Sequence, residues 1–127
     1  MGALMATDRN ELTSERRMSD RARTEFGVVV RDGLRSEDAR CIEVSGAGVL
    51  LARPHQTNTD GAILPNDSVL TRLELHLPER RRELHAWARP VWARGRLIAY
   101  RIVQMRDVDR LSFAEHRDIV HRREQYS

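Results

Sequence analysis

The chain has 127 residues, 22 basic against 19 acidic, with 40% hydrophobic and 5% aromatic residues; that length holds one modest core and no second domain. Every basic residue is arginine, which excludes mechanisms built on a lysine: a Schiff base, the P-loop ammonium, a lysine general base. The net charge of +3 favours anionic partners, while so few aromatics argue against a nucleic-acid surface that stacks bases. Residues 1–14 are polar and aperiodic and read as a flexible tail, with the domain proper over 15–127. The segment Glu15–Arg16–Arg17–Met18–Ser19–Asp20–Arg21–Ala22–Arg23 opens it. It has no apolar face, and the spacing predicts an arginine-rich surface loop over 15–25.

Strand-type runs then fill 26–105. The first covers 26–31 and ends at the turn residue Gly33. The second covers 39–44, where strict alternation sets Cys41 and Glu43 against Ile42 and Val44. A brief apolar run covers 49–52. Pro54, Asn58, Gly61 and Pro65 then mark 53–66 as one long loop. Residues 69–77 alternate cleanly, with Leu73, Leu75 and Leu77 on one face and Arg72, Glu74 and His76 on the other. A charged turn containing Arg80–Arg81–Arg82 precedes two strands, 84–92 and 97–105, that form a hairpin around Gly95. The period then changes. Ser112 and Glu115 have the spacing of a capping box, and Phe113, Ile119 and Val120 fall on one side of a helix over 109–123. Six short strands and one late helix predict a small antiparallel barrel or split barrel, closed at one end by that helix.

The lone Cys41 has no partner for an internal disulfide and reads as a small buried thiol. His55, His76, His85, His116 and His121 show no metal-ligand spacing. Ser45 has no adjacent base and no nucleophile-elbow pattern, so catalysis is not expected. No run approaches the ~20 apolar residues of a membrane span, and no apolar signal core starts the chain. The expected compartment is the cytoplasm, with no membrane partner.

Two pieces carry recognisable chemistry. The first is Arg17-x-x-x-Arg21, preceded by Glu15 and Arg16; the second is Glu43-x-Ser45-x-x-Gly48, where one strand ends and the next begins. A planar guanidinium donates a fork of hydrogen bonds that fits a phosphate or the O6/N7 edge of guanine, and its face stacks on a base. The Ser45 hydroxyl is a further donor, and the Glu43 carboxylate can accept from the N1 and N2 donors of guanine. Gly48 permits close backbone approach to a ligand or a positive φ. Taken singly, the arginines read equally as a solvated loop, and Ser45 with Gly48 as a strand-end turn.

In combination the sequence resembles the PilZ family of bacterial cyclic di-GMP receptor domains, from Glu15 to about Arg123. The resemblance rests on Glu15–Arg16–Arg17-x-x-x-Arg21, Glu43-x-Ser45-x-x-Gly48, Leu75–His76–Leu77–Pro78, Pro90–Val91–Trp92 and the strand 97–105. It implies an all-β, six-stranded antiparallel barrel with a C-terminal helix, and an arginine loop that wraps a dinucleotide against the second motif. Arg17 and Arg21 would grip phosphates and guanine edges, with Arg16 auxiliary. Glu43 and Ser45 would read a guanine, Gly48 would keep the strand start close to it, and Trp92 matches a position near the pocket that equally suits a barrel aromatic. The implied ligand is cyclic di-GMP, with no cofactor and no metal. With no output domain in 127 residues, the expected partner is a separate protein reached in trans. Glu43 stands where the family has Asp or Asn. The extra methylene leaves a second outcome open: a PilZ-fold interaction module that no longer binds nucleotide.

Overall fold

The computed structural model describes residues 22–55, 61–62 and 70–126. Seven strands precede one helix: β1 (Ala22–Asp32), β2 (Arg35–Val44), β3 (Gly48–Ala52), β4 (Gly61–Ala62), β5 (Thr71–His76), β6 (Leu84–Arg94), β7 (Leu97–Met105) and α1 (Asp107–Tyr126). Every pairing is antiparallel, in the order β6-β5-β1-β2-β3-β7, and β7 pairs back onto β6. Six strands thus close into a barrel without open edges, which removes the unpaired backbone groups that invite aggregation. The two-residue β4 rides on the far end of β6, opposite Trp92 and Ala93.

Alternation decides what the barrel encloses. Leu73, Leu75 and Leu77 are buried together with Val28, Val49, Leu51, Ala86 and Ala88, while Arg72 and His76 stay outside, as the period of two requires. The tight corners fall where sequence chemistry permits them. Gly33 and Gly95 both adopt left-handed φ, 61° and 60°, the conformation that two-residue hairpin turns demand and that costs a Cβ-bearing residue energy.

Four expectations are corrected by the coordinates. Strand β1 already starts at Ala22, inside the stretch 15–25 read as loop, because Ala22, Phe26 and Val28 all enter the core. A bulge between Cys41 and Glu43 breaks the alternation of β2, so Cys41 and Val44 are both buried although strict alternation would separate them. The long loop over 53–66 contains the short strand β4. Ser112 is no helix cap: α1 begins at Asp107, and the Ser112 hydroxyl donates back to the carbonyl of Val108 at 3.2 Å, one turn inside the helix. The acidic residues Asp107 and Asp109 occupy the first turn instead, where they complement the helix dipole.

The helix closes the barrel with Asp109, Phe113, His116 and Val120, a spacing of four, three and four residues that keeps one face inward. His116 is 2% exposed. Its Nε2 shares a 2.8 Å hydrogen bond with Thr24 Oγ1, its Nδ1 bonds the carboxylate of Glu79, and its ring meets Phe26 edge-on at 5.1 Å. The backbone N–H of Arg23 donates to Glu124 Oε1 at 2.7 Å. Two hydrogen bonds therefore fasten the helix to the first residues of β1.

Candidate functional site

The strand registers assemble a row of side chains across the outer barrel wall. Glu43 on β2 lies opposite Leu50 on β3, Leu50 opposite Ala99 on β7, and Ala99 opposite Trp92 on β6. The next row runs from Gly48 to Arg101 to Arg89. The first row, with Gly48 and Arg101 of the second, lines a cleft of about 230 Å³, bounded by Glu43, Ser45, Gly48, Leu50, Trp92, Ala99 and Arg101 among others. Its floor is small and apolar, half-buried Trp92 forms one wall, and the charged groups lining it are Glu43 and Arg101. Pockets for drug-sized ligands run to about 300–1,000 Å³. A cleft of this size takes one flat ring of a larger ligand and leaves the remainder to surrounding groups.

The turn at the rim of the cleft is built from Ser45 and Gly48. The N–H of Ser45 donates to the Gly48 carbonyl at 3.0 Å, the Ser45 hydroxyl donates to the same carbonyl at 3.3 Å, and the N–H of Gly48 donates to Ser45 Oγ at 3.1 Å. Ser45 thus locks its own turn, a role short hydroxyl side chains fill well. Gly48 is required for a reason other than the expected ones: its φ is not positive. A Cβ placed there would lie 2.2 Å from the carbonyl oxygen of Tyr100 and 3.4 Å from Cα of Arg101. The missing side chain lets the β3 and β7 backbones meet at the edge of the cleft.

Of the residues singled out from sequence, the fold brings Glu43, Ser45, Gly48 and Trp92 into one cleft. Arg16, Arg17 and Arg21 lie outside the described residues. The register nevertheless relates the two motifs: Ala22, the residue after Arg21, pairs with Val44, the residue before Ser45, and Arg23 pairs with Glu43. The arginine segment therefore joins the barrel beside the second motif.

Two arginines were missed. Arg101 lines the cleft, and half-buried Arg117 on α1 reaches the same turn, its Nη1 lying 2.7 Å from where a Cβ on Gly46 would be. Strand alternation could have placed Arg101 outward beside Ala99. Nothing local in the sequence signals Arg117, whose position depends on how the helix docks. Cys41, also at this end of β2, is fully buried, its thiol donating to the Glu43 carbonyl at 3.2 Å, and burial pushes its pKa far above the ordinary range.

Among solved structures the fold is similar to Bacillus subtilis inhibitor of motility (MotI/DgrA), with a TM-score of 0.58 and 14% identity over 84% of this chain. It is also similar to the PilZ domain of CeSA from a cellulose-synthesizing bacterium, with a TM-score of 0.53 and 16% identity over 82% of this chain. The chain spans 50% of MotI/DgrA and 97% of the CeSA domain. No protein-family model and no curated protein matches the sequence. The fold is thus PilZ-like. Among the described residues no helix is long and apolar enough to cross a membrane.

Proposed function

We propose that this PilZ-like domain is a cyclic di-GMP receptor that passes the binding event to a separate protein. The observation that carries the reading is the register of β1 against β2, which joins the chain just after Arg21 to the strand that bears Glu43 and leads into Ser45. A guanine would lie on the Leu50–Ala99 floor against Trp92, with its N1 and N2 donors toward Glu43. Arg17 and Arg21, with Arg16 auxiliary, would close over it and neutralise phosphate by forked hydrogen bonds. Binding would hold the arginine segment against the barrel wall and change the surface offered to a partner. One structural neighbour carries the name of an inhibitor of motility, which supports a role exerted through another protein. The ligand is a signal and undergoes no reaction, so the domain works without catalytic residues or a cofactor.

A second reading is favoured by two particular residues. Glu43 is one methylene longer than an aspartate, and the Ser45 hydroxyl is already engaged within its own turn. On that reading the domain keeps the fold, has lost the nucleotide, and serves only to dock proteins.

Calorimetry with cyclic di-GMP on wild type, Arg17→Ala and Glu43→Asp separates the two. The receptor reading expects saturable binding, a loss of about tenfold or more in Arg17→Ala, as for one good bidentate contact, and equal or tighter binding in Glu43→Asp. A silent wild type overturns it, and recovery of binding in Glu43→Asp then selects the second reading.

A further inference from the structure

Beside the cleft the β6–β7 ladder sets two arginines against each other. Arg89 pairs directly with Arg101, and Arg101 pairs on its other side with Gly48. Directly opposed residues of an antiparallel pair project from the same face with Cβ atoms about 4.5–5.5 Å apart, and like charges there destabilise the sheet. Five other arginines sit against acids: Arg31 with Glu74, Arg40 with Glu25, Arg53 with Glu37, Arg80 with Glu115 and Arg106 with Asp109. Among the described residues, Arg89 and Arg101 form no such pair. Moreover, Nε of Arg89 is buried with no hydrogen-bond partner, and a buried charged donor left unsatisfied is costly to the fold.

An anion between the two guanidiniums would remove both penalties at once. It would screen the like-charge pair and accept from the orphaned Nε–H. We propose that Arg89 and Arg101 form a phosphate subsite, which receives a phosphodiester group of a nucleotide whose base occupies the cleft. Two forked donors suit the oxygens of a phosphate better than a single carboxylate. The identity of that nucleotide rests on the function proposed above; the arginine pair by itself specifies only a phosphate anion.

The test is calorimetry with cyclic di-GMP and, separately, inorganic pyrophosphate, on wild type, Arg101→Ala, Arg101→Lys and Arg89→Met, with a thermal melt of each. The subsite expects Arg101→Ala and Arg89→Met to bind about tenfold or more weakly and with less salt dependence. Arg101→Lys, which keeps the charge but loses the fork, should recover only part. It further expects both charge-removing variants to melt no lower than wild type, since each relieves the repulsion; a merely structural arginine would lower the melt instead. Cyclic di-GMP bound by wild type and variants alike overturns the subsite and leaves the receptor reading standing. Pyrophosphate bound in an arginine-dependent way by a protein silent to cyclic di-GMP keeps the subsite and overturns the receptor reading. Silence to both probes overturns both.

Discussion

Gly48 shows how one missing side chain can set a site. A methyl group at this position would stand 2.2 Å from the Tyr100 carbonyl oxygen, and the obstacle is backbone held in the β3–β7 ladder, which no rotamer change relieves. Gly48→Ala is therefore expected to lower stability by about 3 kcal/mol, the upper end for overpacking, and to spread the cleft; urea unfolding measures the first effect. A loss below about 0.5 kcal/mol, the range of inert surface substitutions, would mean that the strands do not approach as described. Cys41 gives a second test at the same scale. Its thiol is fully buried and its pKa is raised by desolvation, so the nucleophilic thiolate is absent near neutrality. Disulfide reagents should label it only as the chain unfolds, at a rate that follows urea concentration. Rapid labelling of the native protein would contradict the burial.

Between elements, the connections are polar and pH-dependent. Arg53, just beyond β3, donates from Nε to Glu37 Oε1 at 3.0 Å and from Nη2 to Oε2 at 2.7 Å, tying the end of β3 to the start of β2. That hydrogen bond holds the Glu37 carboxyl below its ordinary value of 4.5. A depressed carboxyl stabilises the fold above its unfolded value, and the contribution is lost as pH falls through the lower folded value. With both side chains about a quarter exposed, solvent screening limits it to about 1 kcal/mol. Urea denaturation of wild type against Glu37→Gln should show a gap of that size at neutral pH, closing below pH 4.5. Tyr100 works in the opposite direction. Burial pushes its phenol up to about 12, so stability contributed by the neutral form is complete below the unfolded value of 10 and declines as pH rises through about 12. Absorbance of the ionised phenol, followed with and without urea, checks the sign.

These elements also show what the sequence could and could not reveal. Leu73, Leu75 and Leu77 announce their strand because one face is wholly apolar, and Gly95 announces its hairpin because only glycine enters left-handed φ without strain. The β2 bulge escaped because it depends on the partner strand: nothing within 39–44 says that two residues will oppose one on β3. The helix start escaped for a similar reason. Ser112 and Glu115 satisfy a local capping rule, yet the buried face of Asp109, Phe113, His116 and Val120 extends the helix one turn earlier. For the site, the short motifs identified Glu43, Ser45, Gly48 and Trp92. They could not identify Arg101, because its place beside Gly48 is made by the β3–β7 register alone.

At the scale of the whole molecule, three structures converge on the first residues of β1. Arg23 pairs with Glu43 of the cleft strand and gives its N–H to Glu124 of the helix, and Thr24 meets His116. The arginine segment ends immediately before this junction. A ligand closing that segment over the cleft would therefore pull on the helix without touching it, because the covalent chain, the β1–β2 ladder and the helix contacts share residues 22–24. Hydrogen exchange with cyclic di-GMP at a hundred times its Kd should slow amides over 22–26, 43–48 and 113–124 together. The stabilisation available from binding at that excess is about 2.7 kcal/mol. In His116→Ala, the buried bridge to Thr24 and Glu79 is removed, at a cost of about 2–4 kcal/mol for a large-to-small core change. Cyclic di-GMP should still slow exchange at 43–48 in this variant, yet no longer slow it at 113–124. Protection of the helix that survives the substitution would show that coupling runs by another route, such as Arg117 at the Gly46 turn. Protection confined to 43–48 in the wild type would show that the helix takes no part in the response.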